Sequence, residues 1–279
     1  MAEQVIISNG IVEATVSTQA AEVIEFKKIS DGINVVWCRD EKYWFNCNPV
    51  LFPYYSMLED GKYELDGKEY FLGQHGFARR ALFEIEEKGT DYVVLTLEEN
   101  DYTLSVYPFR FKLTVKYELA GSKIILSYKV ENRDNRPLPF NIGFHPAFNC
   151  PMTEDEKYED YRIEFEQTEN LTNDLMDLGY GDSFELKDVL IEGSHFYYDH
   201  QIKSSWAQLT NGKHTVRVGC AGYSILGFWR KNPGTPFMCI EPWDPDTSLD
   251  KDYTFRKDTL NNLLPVNEEF ECSYYWELL

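Results

Sequence analysis

The chain has 279 residues, and its 47 acidic against 27 basic side chains give a formal net charge of −20 and a pI near 4.6. Such an acidic surface repels phosphate backbones and anionic lipid headgroups, so we expect neither nucleic acid nor a membrane surface as a partner. The same repulsion makes a sugar phosphate a less favourable substrate than a neutral small molecule.

The cysteine pattern and the N-terminal sequence bear on the cellular compartment. The six cysteines form no C-x-x-C pair and no cluster with histidine at zinc-ligand spacing. The opening residues, MAEQVIISNG, lack the basic and apolar regions of a secretory signal, and no apolar run approaches the ~18 residues of a membrane span. The sequence therefore predicts a cytoplasmic protein whose cysteines are reduced thiols packed in the interior.

Along the chain, alternation of apolar and polar residues is the dominant pattern, and it indicates β-strands. The first three are EATVS, AEVIEFKKI and NVVWCR. Two hairpins follow: ALFEIEEKGTDYVVLTLEEN, with Gly89 near its turn, and FRFKLTVKYELAGSKIILSYKVENRD, with its turn at Ala120-Gly121-Ser122. The later strands are RIEFEQT, WAQLT, HTVRVGCAG, SILGFWR, PFMCIEPW and EEFECSYYWEL.

Helical segments are predicted to be few and short, with LKDVLI and KDTLNNLL as the candidates. The acidic segment MTEDEKYEDYR is predicted to be a solvated loop. Many short strands with turns at near-regular spacing, and no internal repeat or linker, are typical of one large antiparallel β-sandwich. We therefore expect an all-β fold in a single domain over residues 1–279.

Three polar side chains occur in apolar or glycine-rich surroundings. His145 lies in NIGFHPAF, Glu241 in MCIEPWDPD and His75 in GQHGFARR. His145 and Glu241 each precede a proline, which favours extended backbone and predicts that each lies where a strand stops. An imidazole and a carboxylate that face each other at such strand ends are able to act as acid and base near neutral pH.

Structural roles remain open for the same residues. A histidine before proline is often a hydrogen-bonded structural residue, and a glutamate before Pro-Trp can cap a strand or pair with an arginine. GQHGFARR is also compatible with a glycine-rich turn that has a basic rim. The sequence has no G-x-S-x-G elbow, P-loop, dinucleotide fingerprint or H-E-x-x-H motif, so nucleophilic, nucleotide-dependent and metal-hydrolase chemistry have no motif in their favour.

Four longer segments follow one another from about Leu51 to Trp243: NPVLFPYYSMLEDGKYELDGKEYFLGQHGFARR, VYPFRFKLTVKYEL, FNIGFHPAFNCP and MCIEPWDP. Together they resemble the aldose 1-epimerase (galactose mutarotase-like) family, and in particular its bacterial LacX-like branch. The resemblance implies a large galactose mutarotase-like β-sandwich with the sugar bound in a cleft on its concave face. It also implies interconversion of the α and β anomers of a free aldose, without a cofactor or a metal.

The resemblance further implies roles for individual residues. Glu241 would be the general base that takes the proton of the C1 hydroxyl, and His145 the general acid that protonates the ring oxygen. His75 and Arg79 would bind the sugar, and Asp199, in the loosely matching segment FYYDHQI, would hold sugar hydroxyls.

Four aromatic residues are candidates to stack on the apolar face of a pyranose, with ordinary core packing as the alternative for each: Phe77, Phe148, Trp229 and Trp243. One position departs from the family pattern, because many relatives carry Gly-Arg shortly after LFP, where this chain has Ser56-Met57. The missing arginine puts the usual hexose specificity in doubt and further disfavours a phosphorylated substrate.

Three functional alternatives stay open beside the epimerase. They are a non-catalytic carbohydrate-binding protein on the same fold, an epimerase or isomerase of an unusual sugar, and a glycoside hydrolase or lyase. Binding alone does not need both an acid and a base, and hydrolysis usually needs two carboxylates, of which only Glu241 stands out. The expected partner is a neutral monosaccharide, and the sequence is compatible with a monomer or a homodimer.

Overall fold

The computed structural model describes residues 2–37, 39–172, 177–188, 196–199, 202–256 and 259–279, and only the backbone of residues 188, 196–199, 251–256 and 259–261. This part of the chain forms 23 β-strands and one α-helix, α1, at Asp101–Val106. The strands are β1 (Gln4–Ser8), β2 (Val12–Ser17), β3 (Glu22–Lys28), β4 (Val50–Leu51), β5 (Lys62–Leu65), β6 (Lys68–Phe71), β7 (Glu84–Lys88), β8 (Tyr92–Glu98), β9 (Phe111–Ala120), β10 (Lys123–Asn132), β11 (Leu138–Phe140), β12 (Gly143–Phe144), β13 (Ala147–Asn149), β14 (Arg162–Thr172), β15 (Asp177–Glu185), β16 (Phe196–Asp199), β17 (Trp206–Thr210), β18 (Thr215–Gly219), β19 (Tyr223–Trp229), β20 (Phe237–Pro245), β21 (Asp250–Arg256), β22 (Thr259–Leu264) and β23 (Glu269–Leu278). Short 3₁₀ turns occur at Glu59–Gly61, Ala78–Arg80, Tyr158–Asp160 and Leu186–Asp188.

The largest sheet is antiparallel and has nine strands in the order β15-β14-β17-β18-β23-β10-β9-β8-β7. Its central strands β9 and β10 alternate along their length between buried and more exposed residues, because one face of the sheet packs on the core. The register pairs Ala120 with Lys123 and leaves a two-residue turn between the strands. Both predicted hairpins, β7–β8 and β9–β10, are therefore confirmed.

A second sheet carries the segments in which His145 and Glu241 occur. Its order is β16-β19-β20-β12-β4, and β13 also pairs with β20. One face packs on the large sheet, since the Phe144 ring lies 4.1 Å from that of Tyr128 and 4.7 Å from that of Tyr274. The main hydrophobic core therefore lies between the two sheets, and the predicted all-β sandwich is confirmed.

Three smaller sheets complete the described architecture. They have the orders β1-β2-β3, β11-β22-β21 and β5-β6. Among the described residues, no helix is both long and apolar enough to cross a membrane. Five cysteines are free thiols, and Cys272 is only partly buried, unlike Cys47, Cys150, Cys220 and Cys239; Cys38 lies outside the described residues.

The structure corrects the helix predicted at KDTLNNLL. Residues 259–264 form strand β22, which pairs with β11 and β21, while residues 257–258 lie outside the described part. The buried Leu264 lies opposite Leu138 of β11, so tertiary pairing overrides a weak local pattern. In LKDVLI, only the 3₁₀ turn at residues 186–188 is described.

Two other local predictions differ from the structure. The segment NVVWCR was expected to be a strand, but Asn34 and Val36 form only isolated bridges, to Lys27 and Phe148. Helix α1 was not predicted, although its start follows local chemistry. The Asn100 side chain accepts a hydrogen bond from the Thr103 backbone N–H at 3.0 Å, and the Thr103 hydroxyl accepts one from the Asn100 N–H at 2.8 Å.

Candidate active site

His145 and Glu241 come together because of the register between neighbouring strands. The pairing of Gly143 with Trp243, continued by β13 on β20, places His145 opposite Glu241. Directly opposite residues of antiparallel strands project from the same face of the sheet. The His145 Nε2 and Glu241 Oε2 atoms are 3.3 Å apart, and the two side chains are 3% and 0% exposed. His145 follows the end of β12, as its proline predicts.

Glu241 lies inside a strand, which corrects the expectation that the strand stops there. Strand β20 continues through Pro242 and keeps its register with β19. Pro242 has no N–H to donate toward β12. The N–H groups of Ile240 and Asp244, two residues before and after it, do donate in that direction, to the carbonyl oxygens of Pro146 and Ile142. The indole Nε1 of Trp243 instead donates to the Phe144 carbonyl oxygen at 3.1 Å, so a side chain replaces the missing backbone donor.

His75 reaches the same place from a tight turn between β6 and the 3₁₀ turn at Ala78–Arg80. Its φ is +64°, which is a left-handed conformation. This conformation is energetically unfavourable for any residue other than glycine, and it is often found at functional sites. The Nδ1–H donates to the Tyr55 carbonyl oxygen at 2.6 Å, and Nε2 lies 3.1 Å from the Gln74 side-chain nitrogen. The His75 ring centroid is 5.7 Å from that of His145 and 6.1 Å from that of Trp243.

Gly76 explains how the turn packs so closely. Its φ is +69°, and a Cβ added there would overlap the carbonyl group of Phe52. That carbonyl oxygen accepts the N–H groups of Phe77 and Ala78 at 3.1 and 3.2 Å. Only glycine therefore fits this position, and the close contact fixes where His75 projects.

A cluster of aromatic side chains covers His145 on this face of the sheet. The Trp44 ring lies 4.7 Å from the imidazole at an angle of 35°, and Trp229 meets it edge-on at 5.2 Å. Trp37 and Phe237 extend the cluster, which is separate from the main core. Sequence analysis did not single out Trp44, because nothing in the segment KYWFNCNP distinguishes it from a core tryptophan.

Arg79 lies near this cluster and is held by a buried polar network. Its Nη2 donates to the Asn46 side-chain oxygen at 2.9 Å, and its guanidinium stacks 5.7 Å from the Phe45 ring centre. The Asn46 amide in turn donates to Glu22 at 3.0 Å. Burial and the neighbouring Arg80 lower the pKa of Arg79 to about 10, so it stays charged at neutral pH.

The electrostatics of the His145–Glu241 contact are set by burial. Removal from water raises the pKa of the Glu241 carboxyl well above its usual range, and the nearby Trp243 indole opposes part of that rise. Burial, and then the charge of Glu241, raise the pKa of the neighbouring Cys239 thiol. A carboxylate with a raised pKa is a stronger base than an ordinary exposed one.

Three side chains here have donor atoms that are able to hold a metal ion. His145, Cys239 and Glu241 each offer one such atom, and these atoms all lie within 4.8 Å of one another. Cys239 lies two residues before Glu241 in β20 and therefore projects from the same face.

Three other residues named in the sequence analysis lie in different surroundings. The Phe77 ring packs in the main core against Phe52 and Phe111, at 6.0 and 5.6 Å, which is the core-packing alternative. Asp199 lies at the end of β16, and its backbone pairs with Ile225 of β19. Met57, at the position of the missing arginine, is 59% exposed.

Only a few carboxylates are buried among the side chains that the structure describes: Glu22, Glu169 and Glu241. Glu169 accepts hydrogen bonds from the Lys203 N–H and from Ser204, at 2.6 to 3.0 Å, and Glu22 is bonded to Arg39. Neither Glu22 nor Glu169 is therefore placed as the second carboxylate that glycoside hydrolysis usually needs beside Glu241. The arrangement is a histidine–carboxylate pair suited to moving protons.

The chain is similar to known proteins in both sequence and structure. A sequence model of the family described as Aldose 1-epimerase matches residues 3–219. The chain is 31% identical over 263 residues to the chromosomal protein LacX of Lactococcus lactis subsp. lactis, covering 86% of this chain and 88% of that protein. It resembles the crystal structures of a galactose mutarotase related enzyme from Lactobacillus acidophilus (TM-score 0.87, 27% identity, 99% and 97% of the two chains) and of a galactose mutarotase-like protein from Lactobacillus casei (TM-score 0.83, 25% identity, 99% and 100%).

Proposed function

This chain belongs to the aldose 1-epimerase family, and from that premise we propose that it interconverts the α and β anomers of a free aldose. The observation that carries the proposal is the 3.3 Å contact between His145, which follows β12, and Glu241 in the neighbouring strand β20. Opening a hemiacetal needs one group to remove a proton and another to deliver one, and this pair supplies both.

The reaction follows from the two side chains. Ionised Glu241 takes the proton of the C1 hydroxyl while protonated His145 gives its Nε2 proton to the ring oxygen. The bond from C1 to the ring oxygen breaks as the C1 carbonyl forms, which yields the open-chain aldehyde. Rotation about the bond between C1 and C2 presents the other face, and ring closure reverses both proton transfers.

The buried environment supports these roles. Because burial raises the pKa of Glu241, its carboxylate is a stronger base toward the C1 hydroxyl than an exposed glutamate would be. Each well-placed acid or base typically contributes about 10²–10⁴-fold to the rate. The sugar then takes the place of the direct contact between the two side chains, since both reacting oxygens are attached to C1.

Residues around the pair are proposed to orient the sugar. His75 and Trp243 lie beside the pair, and Arg79 is held in place by its hydrogen bond to Asn46. Asp199 remains a candidate, whereas the core position of Phe77 removes it from the proposed set. The net charge of −20 and Met57 favour a neutral monosaccharide over a sugar phosphate.

We also infer that residues 1–279 act as one domain. The main core cluster includes residues from β1, from the central strands of the large sheet and from β20, so the described sheets share one apolar interior.

A carbohydrate-binding protein without turnover is the second candidate, and one observation favours it. His145 and Glu241 contact each other and are 3% and 0% exposed, so substrate reaches them only when covering side chains move. A site that stays closed on the reacting side would bind a sugar without opening its ring.

The test is the anomer relaxation rate of freshly dissolved glucose, galactose and a panel of pentoses, by polarimetry or NMR exchange. We expect at least one sugar to relax faster with the wild-type protein than in buffer, and His145→Asn to abolish the acceleration. If no sugar relaxes faster while one still shifts protein resonances, the carbohydrate-binding function replaces the epimerase.

A further inference from the structure

One residue beside the acid–base pair is not needed for ring opening. Cys239 is fully buried, is a free thiol and lies on the same face of β20 as Glu241. Its sulfur lies within 4.8 Å of the donor atoms of His145 and Glu241. A sulfur, a nitrogen and an oxygen donor therefore lie close together on one face of the sheet.

The spacing of these atoms is close to that of a metal site. Two nitrogen or oxygen ligands that each lie about 2.0–2.1 Å from Zn²⁺ at a tetrahedral angle are separated by about 3.3 Å. His145 Nε2 and Glu241 Oε2 are 3.3 Å apart. A thiolate at about 2.3 Å from the ion would lie about 3.5 Å from the other two donors. Sulfur–donor distances of up to 4.8 Å would therefore have to shorten by as much as about 1.3 Å.

The donor types select the metal. A thiolate with an imidazole and one carboxylate suits Zn²⁺ and similar thiophilic ions, whereas Mg²⁺ and Ca²⁺ prefer sites built of oxygens. Three protein ligands leave the fourth tetrahedral position for water or for a sugar hydroxyl. The pairing of β12 with β20 fixes the position of His145, which follows β12, relative to Cys239 and Glu241 in β20. This limits the reorganisation that metal binding requires.

We propose that His145, Cys239 and Glu241 bind a thiophilic divalent cation of the Zn²⁺ type, and that the bound ion inhibits the enzyme. The thiol and the Nε2 of a protonated His145 each release their proton to solvent as their bonds to the metal form. The ion engages the Nε2 of His145 and a carboxylate oxygen of Glu241, which are the atoms that transfer protons to and from the sugar. The inhibition rests on the proposed epimerase function, whereas the binding site does not.

The binding test is a titration of the purified full chain with Co²⁺, which reports on sulfur ligation through its thiolate-to-metal charge-transfer absorption. We expect the band in the wild type and in the control Cys272→Ser, whose cysteine lies in the large sheet. We expect it to be lost in Cys239→Ser, with Zn²⁺ binding about tenfold weaker or more. A band that is absent from the wild type, or that persists in Cys239→Ser, overturns the site.

X-ray absorption of the zinc-loaded wild type gives an answer that does not depend on any variant folding. We expect one sulfur neighbour at about 2.3 Å together with nitrogen or oxygen neighbours at about 2.0–2.1 Å. A shell of oxygens alone would mean adsorption to the acidic surface and would overturn the site.

The inhibition test compares sugar relaxation with and without Zn²⁺. Acceleration that disappears as the site fills supports inhibition, and acceleration that is unchanged at full occupancy overturns it. A protein that binds Co²⁺ through Cys239 but accelerates no sugar would refute the epimerase and leave the metal site standing.

Discussion

Glu22 and Glu241 are both fully buried carboxylates, but their surroundings are different. Glu22, at the start of β3, accepts hydrogen bonds from Arg39, from the Asn46 amide and from the Cys47 N–H, the last at 2.8 Å. Glu241, within β20, faces the imidazole of His145, which the Trp44 and Trp229 rings flank. Burial raises the pKa of both, and Arg39 and the surrounding N–H groups counteract the rise at Glu22.

These different surroundings indicate different roles for the two carboxylates: Glu22 is structural, whereas Glu241 is the one proposed to react. Glu22 is held as an anion by charge and fixed donors, and so it anchors the segment that carries Trp44 over His145. Glu241 gains less from donors that favour its ionised form, so its proton is held more tightly. The first region therefore supplies rigidity, and the second holds the acid and the base of the proposed reaction.

The largest effect is expected from exchanging each carboxylate for its amide and measuring sugar relaxation. Glu241→Gln removes the proposed base and should slow the reaction by about 10²–10⁴-fold. Glu22→Gln keeps the shape of its site and should change the rate by less than about tenfold when the protein is folded. Equal losses in the two variants would remove the distinction between the two regions.

The second prediction concerns the contribution of Glu22 to the stability of the fold. Glu22→Ala leaves Arg39 and buried N–H groups without their acceptor and should lower the free energy of unfolding by about 3–5 kcal/mol. The control is Glu86→Ala, whose surface ion pair with Lys112 measures 2.8 Å and should contribute less than about 1 kcal/mol. Urea denaturation monitored by fluorescence measures both, and similar losses would contradict a structural role for Glu22.

The third prediction tests whether the turn that carries His75 belongs to the reactive region. Gly76→Ala should lose stability through left-handed strain of about 1–2 kcal/mol and through overlap with the Phe52 carbonyl group. Gly67→Ala has φ +74° and open space around its Cβ, so only the strain applies. We expect Gly76→Ala also to slow sugar relaxation, whereas Gly67→Ala should not. Equal rates of sugar relaxation in the two alanine variants would show that the turn does not contribute to the site.

The smallest predicted effect is a pH dependence that distinguishes the two carboxylates. The folded-state pKa of Glu241 is raised, so the folded protein binds its proton more tightly than the unfolded chain does. The associated stability is present below the unfolded pKa and is lost as pH rises, by at most about 1.4 kcal/mol per pH unit.

Unfolding by urea across a pH series checks this sign by comparison with the amide variant. Above about pH 4.5, near the unfolded pKa of a glutamate, Glu241→Gln should become progressively more stable relative to the wild type. The corresponding gain in Glu22→Gln should be smaller, because Arg39 and the neighbouring donors oppose the rise that burial causes in the pKa of Glu22. A difference between wild type and Glu241→Gln that stays constant with pH would show that burial of Glu241 has no titration effect.

Local patterns predicted much of the sandwich. The hairpins at β7–β8 and β9–β10 follow from period-two alternation bounded by glycine-containing turns. The capping box of α1 was present in the sequence but was overlooked, and the strand β22 depends on partners far along the chain. Pairing between distant segments is not encoded in a local pattern, so such elements are predicted poorly.

The candidate site divides in the same way. The unusual local sequence around His75, His145 and Glu241 identified them, and the structure brings all three together. Trp44 and Glu22 were missed, because their roles arise from contacts with segments about 100 and 25 residues away. The strand end expected at Pro242 was wrong, because the replacement donor is a side chain that no backbone rule anticipates.

The hydrogen bond from the Trp243 indole to the Phe144 carbonyl makes two neighbouring residues interdependent in evolution. With proline at 242, replacing Trp243 by phenylalanine leaves a buried carbonyl without its donor, at a cost of about 1–3 kcal/mol. Once residue 242 is able to supply an N–H, the Phe144 carbonyl no longer depends on the tryptophan as its donor. Substitutions at these positions should therefore be epistatic, and the two residues should be exchanged as a pair when the site drifts or is transplanted.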